Sequence, residues 1–112
     1  MKEIDEDAAR ELYWFIINDG NLYRQRITPI VENMKRKVSK GTYDENLAVK
    51  AFQYAADDGA KRYSKEVGEM SFNVPTRKET AKQLLEYYTE AIFEKDDIEY
   101  GTRNRPFPLN IK

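Results

Sequence analysis

Helix punctuation recurs along this chain at intervals that leave room for helices and for little else. Asp19-Gly20, Gly41 and Val67-Gly68 read as stops, while Thr42-Tyr43-Asp44-Glu45 and Thr76-Arg77-Lys78-Glu79 have the capping-box pattern. In that pattern a threonine oxygen accepts an amide hydrogen bond and the glutamate reaches back to the threonine's own amide. Between these marks the apolar residues repeat at three- and four-residue spacing, the period of a helix with one buried stripe. The expectation is an all-α protein: a compact bundle of four helices with a kinked second helix and an irregular C-terminal tail. Residues 1–95 would form the helical domain, with 96–112 packed on it or extending from it. At 112 residues the chain is large enough for one real core but too small for a substrate domain beside a cofactor domain.

The first helix is expected from about Asp5 to Asn18, with acids at its N-terminal end and Gly20 as its stop. Its block Leu12 to Ile17 covers more than one helical face, so the helix is either central to the core, the favoured reading, or partly in an interface. The second is expected from Asn21 to Lys40, where Tyr23, Ile27, Ile30, Val31, Met34 and Val38 keep the buried stripe straight through Pro29. Proline lacks the amide donor and crowds the preceding turn, so a kink is expected there, or a restart with Thr28 as cap. The third runs from Thr42 to near Val67, rich in small residues that let a neighbour approach closely. Gly59 interrupts it at about 1 kcal/mol relative to alanine, which implies a bend or a close contact. The fourth, from Thr76 to near Lys95, has the clearest stripe: Ala81, Leu84, Leu85, Tyr88, Ala91 and Ile92. Beyond it Gly101, Pro106 and Pro108 break any period, while Phe107, Leu109 and Ile111 offer apolar anchors for the tail.

Cysteine and histidine are both absent. That removes disulfides, thiol nucleophiles, Cys/His zinc sites and every imidazole base. All five glycines are isolated, so no glycine-rich phosphate loop exists. Asp57 and Asp58 with Lys61, Arg62 and Glu66 superficially suggest a carboxylate-lysine nuclease centre. The four-residue spacings Asp57/Lys61, Asp58/Arg62 and Arg62/Glu66 instead favour surface ion pairs along one helix. Glu94, Asp96, Asp97 and Glu99 lack the spacing of a calcium loop. No catalytic residue, metal site or cofactor is expected. The acidic N-terminus is not a signal-peptide pattern, and no apolar run approaches the ~18 residues of a membrane span, so a cytoplasmic setting without membrane contact is expected.

The formal net charge of -1 hides a strong pattern. From Asn21 to Lys40 six basic residues meet one acid, Glu32, giving +5, whereas Met1 to Gly20 carries six acids against two bases, giving -4. Such a helix can track phosphate or dock on an acidic protein surface; alternatively, acidic and basic helices pair within the fold. Eight tyrosines accompany these charges. Tyr63 and Tyr88 fall on buried stripes, and Tyr23, Tyr43, Tyr54 and Tyr87 are candidates for exposure. Arginine and tyrosine are the residue types that anchor protein interfaces. The candidate partner-binding residues are therefore Tyr23, Arg24, Arg26, Lys35, Lys37 and Tyr43. In this reading Arg24 and Arg26, with Tyr23 or Tyr43 beside them, meet a protein carboxylate surface, unless Glu6, Asp7 or Glu11 of the first helix consumes both arginines. A helix-turn-helix fits badly, because the basic helix carries Pro29.

The run Glu11-Leu-Tyr-Trp-Phe-Ile-Ile-Asn-Asp-Gly-Asn-Leu-Tyr-Arg-Gln-Arg26, followed by Thr28-Pro-Ile30, Lys40-Gly-Thr-Tyr-Asp44 and Asp58-Gly-Ala-Lys-Arg-Tyr63, resembles a family of small uncharacterised proteins encoded by tailed bacteriophages and prophages. The resemblance spans roughly Glu11 to Tyr88, leaves out the tail and brings no catalytic residue. It implies a non-enzymatic phage-type protein that binds a host or phage protein in the host cytoplasm. The expected role is modulator or inhibitor of a host nucleic-acid-processing or defence complex, of the anti-CRISPR or anti-restriction type. The alternative is direct nucleic-acid binding through the basic second helix.

Overall fold

The computed structural model describes residues 3–68 and 70–94, and these form four helices and no strand. Helix α1, Glu6–Ile17, starts where the Asp5 carboxylate accepts from the Ala8 amide at 3.1 Å, with Glu6 and Asp7 in the first turn. It ends at Asn18, whose side-chain amide donates to the Trp14 carbonyl. Gly20 is not the stop that the sequence suggests: Asp19 caps the next helix by accepting from the amides of Asn21 and Leu22, and Gly20 is already helical. Two polar side chains divide the termination and the restart between them, so no left-handed residue is required there.

Helix α2 covers residues 20–40 and carries the expected break in an unexpected form. Tyr23–Ile27 is a π turn, in which the Thr28 amide donates to the Tyr23 carbonyl five residues back, and the α-helix resumes as Thr28–Lys40. Thr28 is itself helical and caps nothing. Pro29 cannot donate to the carbonyl four residues back, and the wider turn upstream accommodates the lost bond without ending the helix. Gly41 then stops α2 in the left-handed conformation, φ 75°. The Thr42 amide and hydroxyl both donate to the Lys37 carbonyl. Thr42 is thereby committed to closing α2, and the cap of α3, Glu45–Glu66, passes to Asp44.

Helix α4, Val74–Phe93, is capped by Asn73 rather than Thr76. Thr76 and Thr80 are buried and tie α4 to α1: the Thr76 hydroxyl accepts from the Asp5 amide at 3.1 Å, and that of Thr80 donates to the Ala9 carbonyl at 2.9 Å. Helices α1 and α4 run parallel through these bonds, and α3 runs antiparallel to both. The core between them is built on Leu12, Ile16, Leu22, Ile27, Phe52, Leu84 and Ile92, all fully buried. Ala48, Ala55, Ala56 and Gly59 on α3 bring the helices close. At Gly59 the sequence alternative of a close contact holds: a Cβ there would lie 2.6 Å from Ile16 Cγ1.

Asp57 and Asp58 reach across to other helices instead of along α3. Asp57 accepts from Arg77 Nε at 2.6 Å, while Arg77 also donates to the Phe72 carbonyl. Asp58 accepts from Arg26 Nε at 3.0 Å. Helix α4 ends at Phe93, so Asp96, Asp97, Glu99 and the tail anchors Phe107, Leu109 and Ile111 lie outside the described residues.

Candidate binding surface

The basic residues of α2 do not gather on one face. Successive helical residues turn by about 100°, so positions two apart diverge by roughly 200° and side chains at Arg24 and Arg26 leave the helix in different directions. Arg26 points to α3 and its ion pair with Asp58. Arg24 stays on its own turn, donating to Asn21 Oδ1 at 2.8 Å with its guanidinium over Gly20. Neither arginine is consumed by the acids of α1, whose Glu11 instead accepts from the Tyr63 hydroxyl at 3.2 Å. Lys35 lines a groove with Arg36 and Lys40 at the far end of α2, and Lys37, two positions on, does not line it. Tyr43 lies beyond that end and is half-buried, its ring edge-on to Phe93 at 4.9 Å. Arg24 and Lys40 are about 24 Å apart along the helix, so Tyr23 is beside the arginines and Tyr43 is not.

A different surface emerges where α1 and α4 meet. Tyr13 packs edge-on against Trp14 at 5.4 Å and against Tyr87 at 5.8 Å, and Tyr87 packs edge-on against Tyr88 at 4.9 Å. Tyr88 in turn stacks on the buried Phe52 ring, which roots the cluster in the core. Trp14 is 50% exposed, Tyr87 55% and Tyr23 49%, so an aromatic layer on the outside rests on an aromatic layer within. The six-residue run Leu12 to Ile17 contained the signal for this face: consecutive residues sweep all sides of a helix, and a single core can cover only some of them. Leu12 and Ile16 take the core and Trp14 is left facing out. Tyr87 and Tyr54 are exposed, as their sequence positions suggest.

Packing of these rings shows in their acidity. Burial raises the Tyr13 phenol above its ordinary value, with the Tyr87 phenol adding to the effect and Arg10 opposing it. The Tyr88 phenol is pushed up to about 12, by burial first and then by the phenols of Tyr87, Tyr23 and Tyr13. Tyr23 is thus close enough to Tyr88 to act on its proton. In the unfolded chain these phenols ionise near 10.0, while the folded state holds the Tyr88 proton to about 12. The unfolded state thus releases protons first on the alkaline side, and the stability Tyr88 contributes is intact below pH 10.0 and lost as pH rises toward 12. A series of denaturant midpoints across this window, with phenolate absorbance recorded alongside, should show the midpoint falling. Tyr88→Phe should flatten that fall, and an unchanged slope in this variant would place the responsible proton elsewhere.

Between α2 and α3 an apolar groove of about 360 Å³ is lined by Pro29, Ile30, Leu47, Ala51 and Tyr54 together with Arg26 and Lys50. Among the described residues no three carboxylates converge in a way that could hold a metal ion, and no helix is long and apolar enough to cross a membrane. No protein-family model, no curated protein and no solved structure matches the chain.

Proposed function

We propose that this protein is non-enzymatic and acts by binding another protein through the aromatic face of Tyr13, Trp14, Tyr23 and Tyr87, with Arg24 next to Tyr23. The observation that carries this reading is the half exposure of Trp14 and Tyr87, whose rings both pack on Tyr13, with Tyr23 half exposed on α2. Tryptophan, tyrosine and arginine dominate binding energy at interfaces, and clustered exposed rings leave apolar area that folding has not used. Rings held by their neighbours also lose little side-chain freedom on association. Within the same proposal, the sequence resemblance supplies the setting. The partner is a component of a host nucleic-acid-processing or defence complex, and the protein is a phage-encoded modulator or inhibitor of it in the host cytoplasm.

Affinity capture from host lysate with wild-type, Trp14→Ala and Arg26→Ala baits, followed by titration with the captured protein, tests this directly. Trp14→Ala is expected to weaken binding by about 2 kcal/mol or more while leaving the melting temperature nearly unchanged, because half of that ring is already in water. Retention of the partner by Trp14→Ala together with its loss by Arg26→Ala would move the interface to the α2–α3 side. Capture abolished by nuclease treatment would point to nucleic acid as the ligand. In that case the logarithmic salt slope of binding should drop by about one unit on Lys35→Ala.

A further inference from the structure

Beyond its π turn α2 packs more on α4 than on α3, which leaves the groove of about 360 Å³ between α2 and α3 unfilled. Its body is apolar on both walls, with Pro29 and Ile30 on α2 and Leu47, Ala51 and Tyr54 on α3. Leu47 and Tyr54 are 50% and 65% exposed; they stand two turns apart on one side of α3, with the small Ala51 between them. Every charged side chain that lines the groove is a cation. Arg26 is compensated, since its Nε donates to Asp58 at 3.0 Å. Lys50 is not: one turn to either side of it on α3 are Asn46, Leu47, Gln53 and Tyr54, and among the described residues its ammonium has no hydrogen-bond or ion-pair partner. Gln25, whose side-chain carbonyl accepts from Arg62 Nη2 at 3.4 Å, offers its amide nitrogen as a further donor.

We infer that this groove binds a small organic monoanion, a carboxylate carried on an apolar ring or short chain, with the apolar body between the two walls and the carboxylate on the Lys50 ammonium. The volume lies at the lower end of the ~300–1,000 Å³ of small-molecule sites, and an apolar lining with a few polar groups is how such sites combine affinity with orientation. The apolar walls supply most of the attraction, because an ion pair in water is weak; the lysine selects the sign of the charge. One uncompensated cation calls for one negative charge, since a second anion would face only Arg26, which Asp58 already holds. The inference stands independently of the aromatic face, which involves other residues.

Naphthoate is a suitable probe, with naphthylmethanol and naphthylmethylamine as its neutral and cationic counterparts, each titrated into the isotope-labelled full chain and followed by amide chemical shifts. Naphthoate is expected to saturate, with its largest shifts at residues 25–30 and 47–54, and to bind about fivefold tighter than either counterpart. Lys50→Glu changes an exposed position with no partner to lose, so the melting temperature should hold while the preference reverses and the amine binds tighter than the carboxylate. Tyr54→Ala removes part of one wall and should weaken all three probes by a similar factor. Equal affinities for the three probes, shifts centred on the aromatic face, a carboxylate preference that survives Lys50→Glu, or affinities untouched by Tyr54→Ala would overturn the inference.

Discussion

Replacing Phe52 by alanine is expected to destabilise the fold by about 3–5 kcal/mol, a large share of the ~5–15 kcal/mol that holds a domain of this size together. The ring is fully buried where α3 meets α4 and stacks on Tyr88 with centroids 6.1 Å apart and planes within 4° of parallel. Removing it takes away burial and leaves a cavity beneath the aromatic face, so Tyr88 also loses its support. Urea midpoints at unchanged m-value measure the effect. Tyr54→Ala is the control, two residues along the same helix and largely in water, and should shift stability by no more than about 0.5 kcal/mol. A loss below about 1 kcal/mol for Phe52→Ala would mean that α3 is rotated away from its described register.

Gly59→Ala is expected to run against helix propensity. On an exposed helix the change would stabilise by about 1 kcal/mol. Here the new methyl would meet Ile16 Cγ1 at 2.6 Å and Cδ1 at 2.7 Å, and Ile16 is fully buried, so it can yield only by repacking within the core. Overpacking of this kind costs about 1–3 kcal/mol, so the net effect is destabilising. The double variant with Ile16→Ala identifies the cause. Ile16→Ala alone should cost about 2–5 kcal/mol, and the pair should cost less than the two single losses together by about 1 kcal/mol or more. A stabilising Gly59→Ala would show that α1 and α3 sit further apart than described.

The helices were legible in the sequence because their apolar period and their terminators are local properties. The caps were less so. Thr42 and Thr76 both satisfy the capping-box pattern, yet Asp44 and Asn73 do the capping. Thr42 is diverted to the closing turn of α2, and Thr76 to the Asp5 amide 71 residues away in the chain. A pattern read over four residues cannot register a competing partner that arrives from another helix. The same limit affected the candidate site. Six basic residues in α2 count as one cluster along the chain, but helical rotation and the π turn send Arg26 to an ion pair with Asp58, Arg24 to a local bond with Asn21, and Lys35, Arg36 and Lys40, without Lys37, to a groove at the far end.

The sequence by itself determined the all-α class, the left-handed stop at Gly41 and the irregularity at Pro29, and at Gly59 it left a bend or a close contact open. Each of these follows from backbone chemistry within one or two turns: a missing side chain, a missing amide donor, a repeating apolar position. Only the tertiary structure decided that Trp14 faces water while Leu12 and Ile16 face the core, and that Asp57 and Asp58 bond to Arg77 and Arg26 across helices. It alone also brought Tyr13 of α1 against Tyr87 of α4. The physical reason is that a helix carrying apolar residues on several sides has no intrinsic inner face. Which side is buried is fixed by the neighbours that pack against it, and those neighbours are assembled from residues far away in the chain.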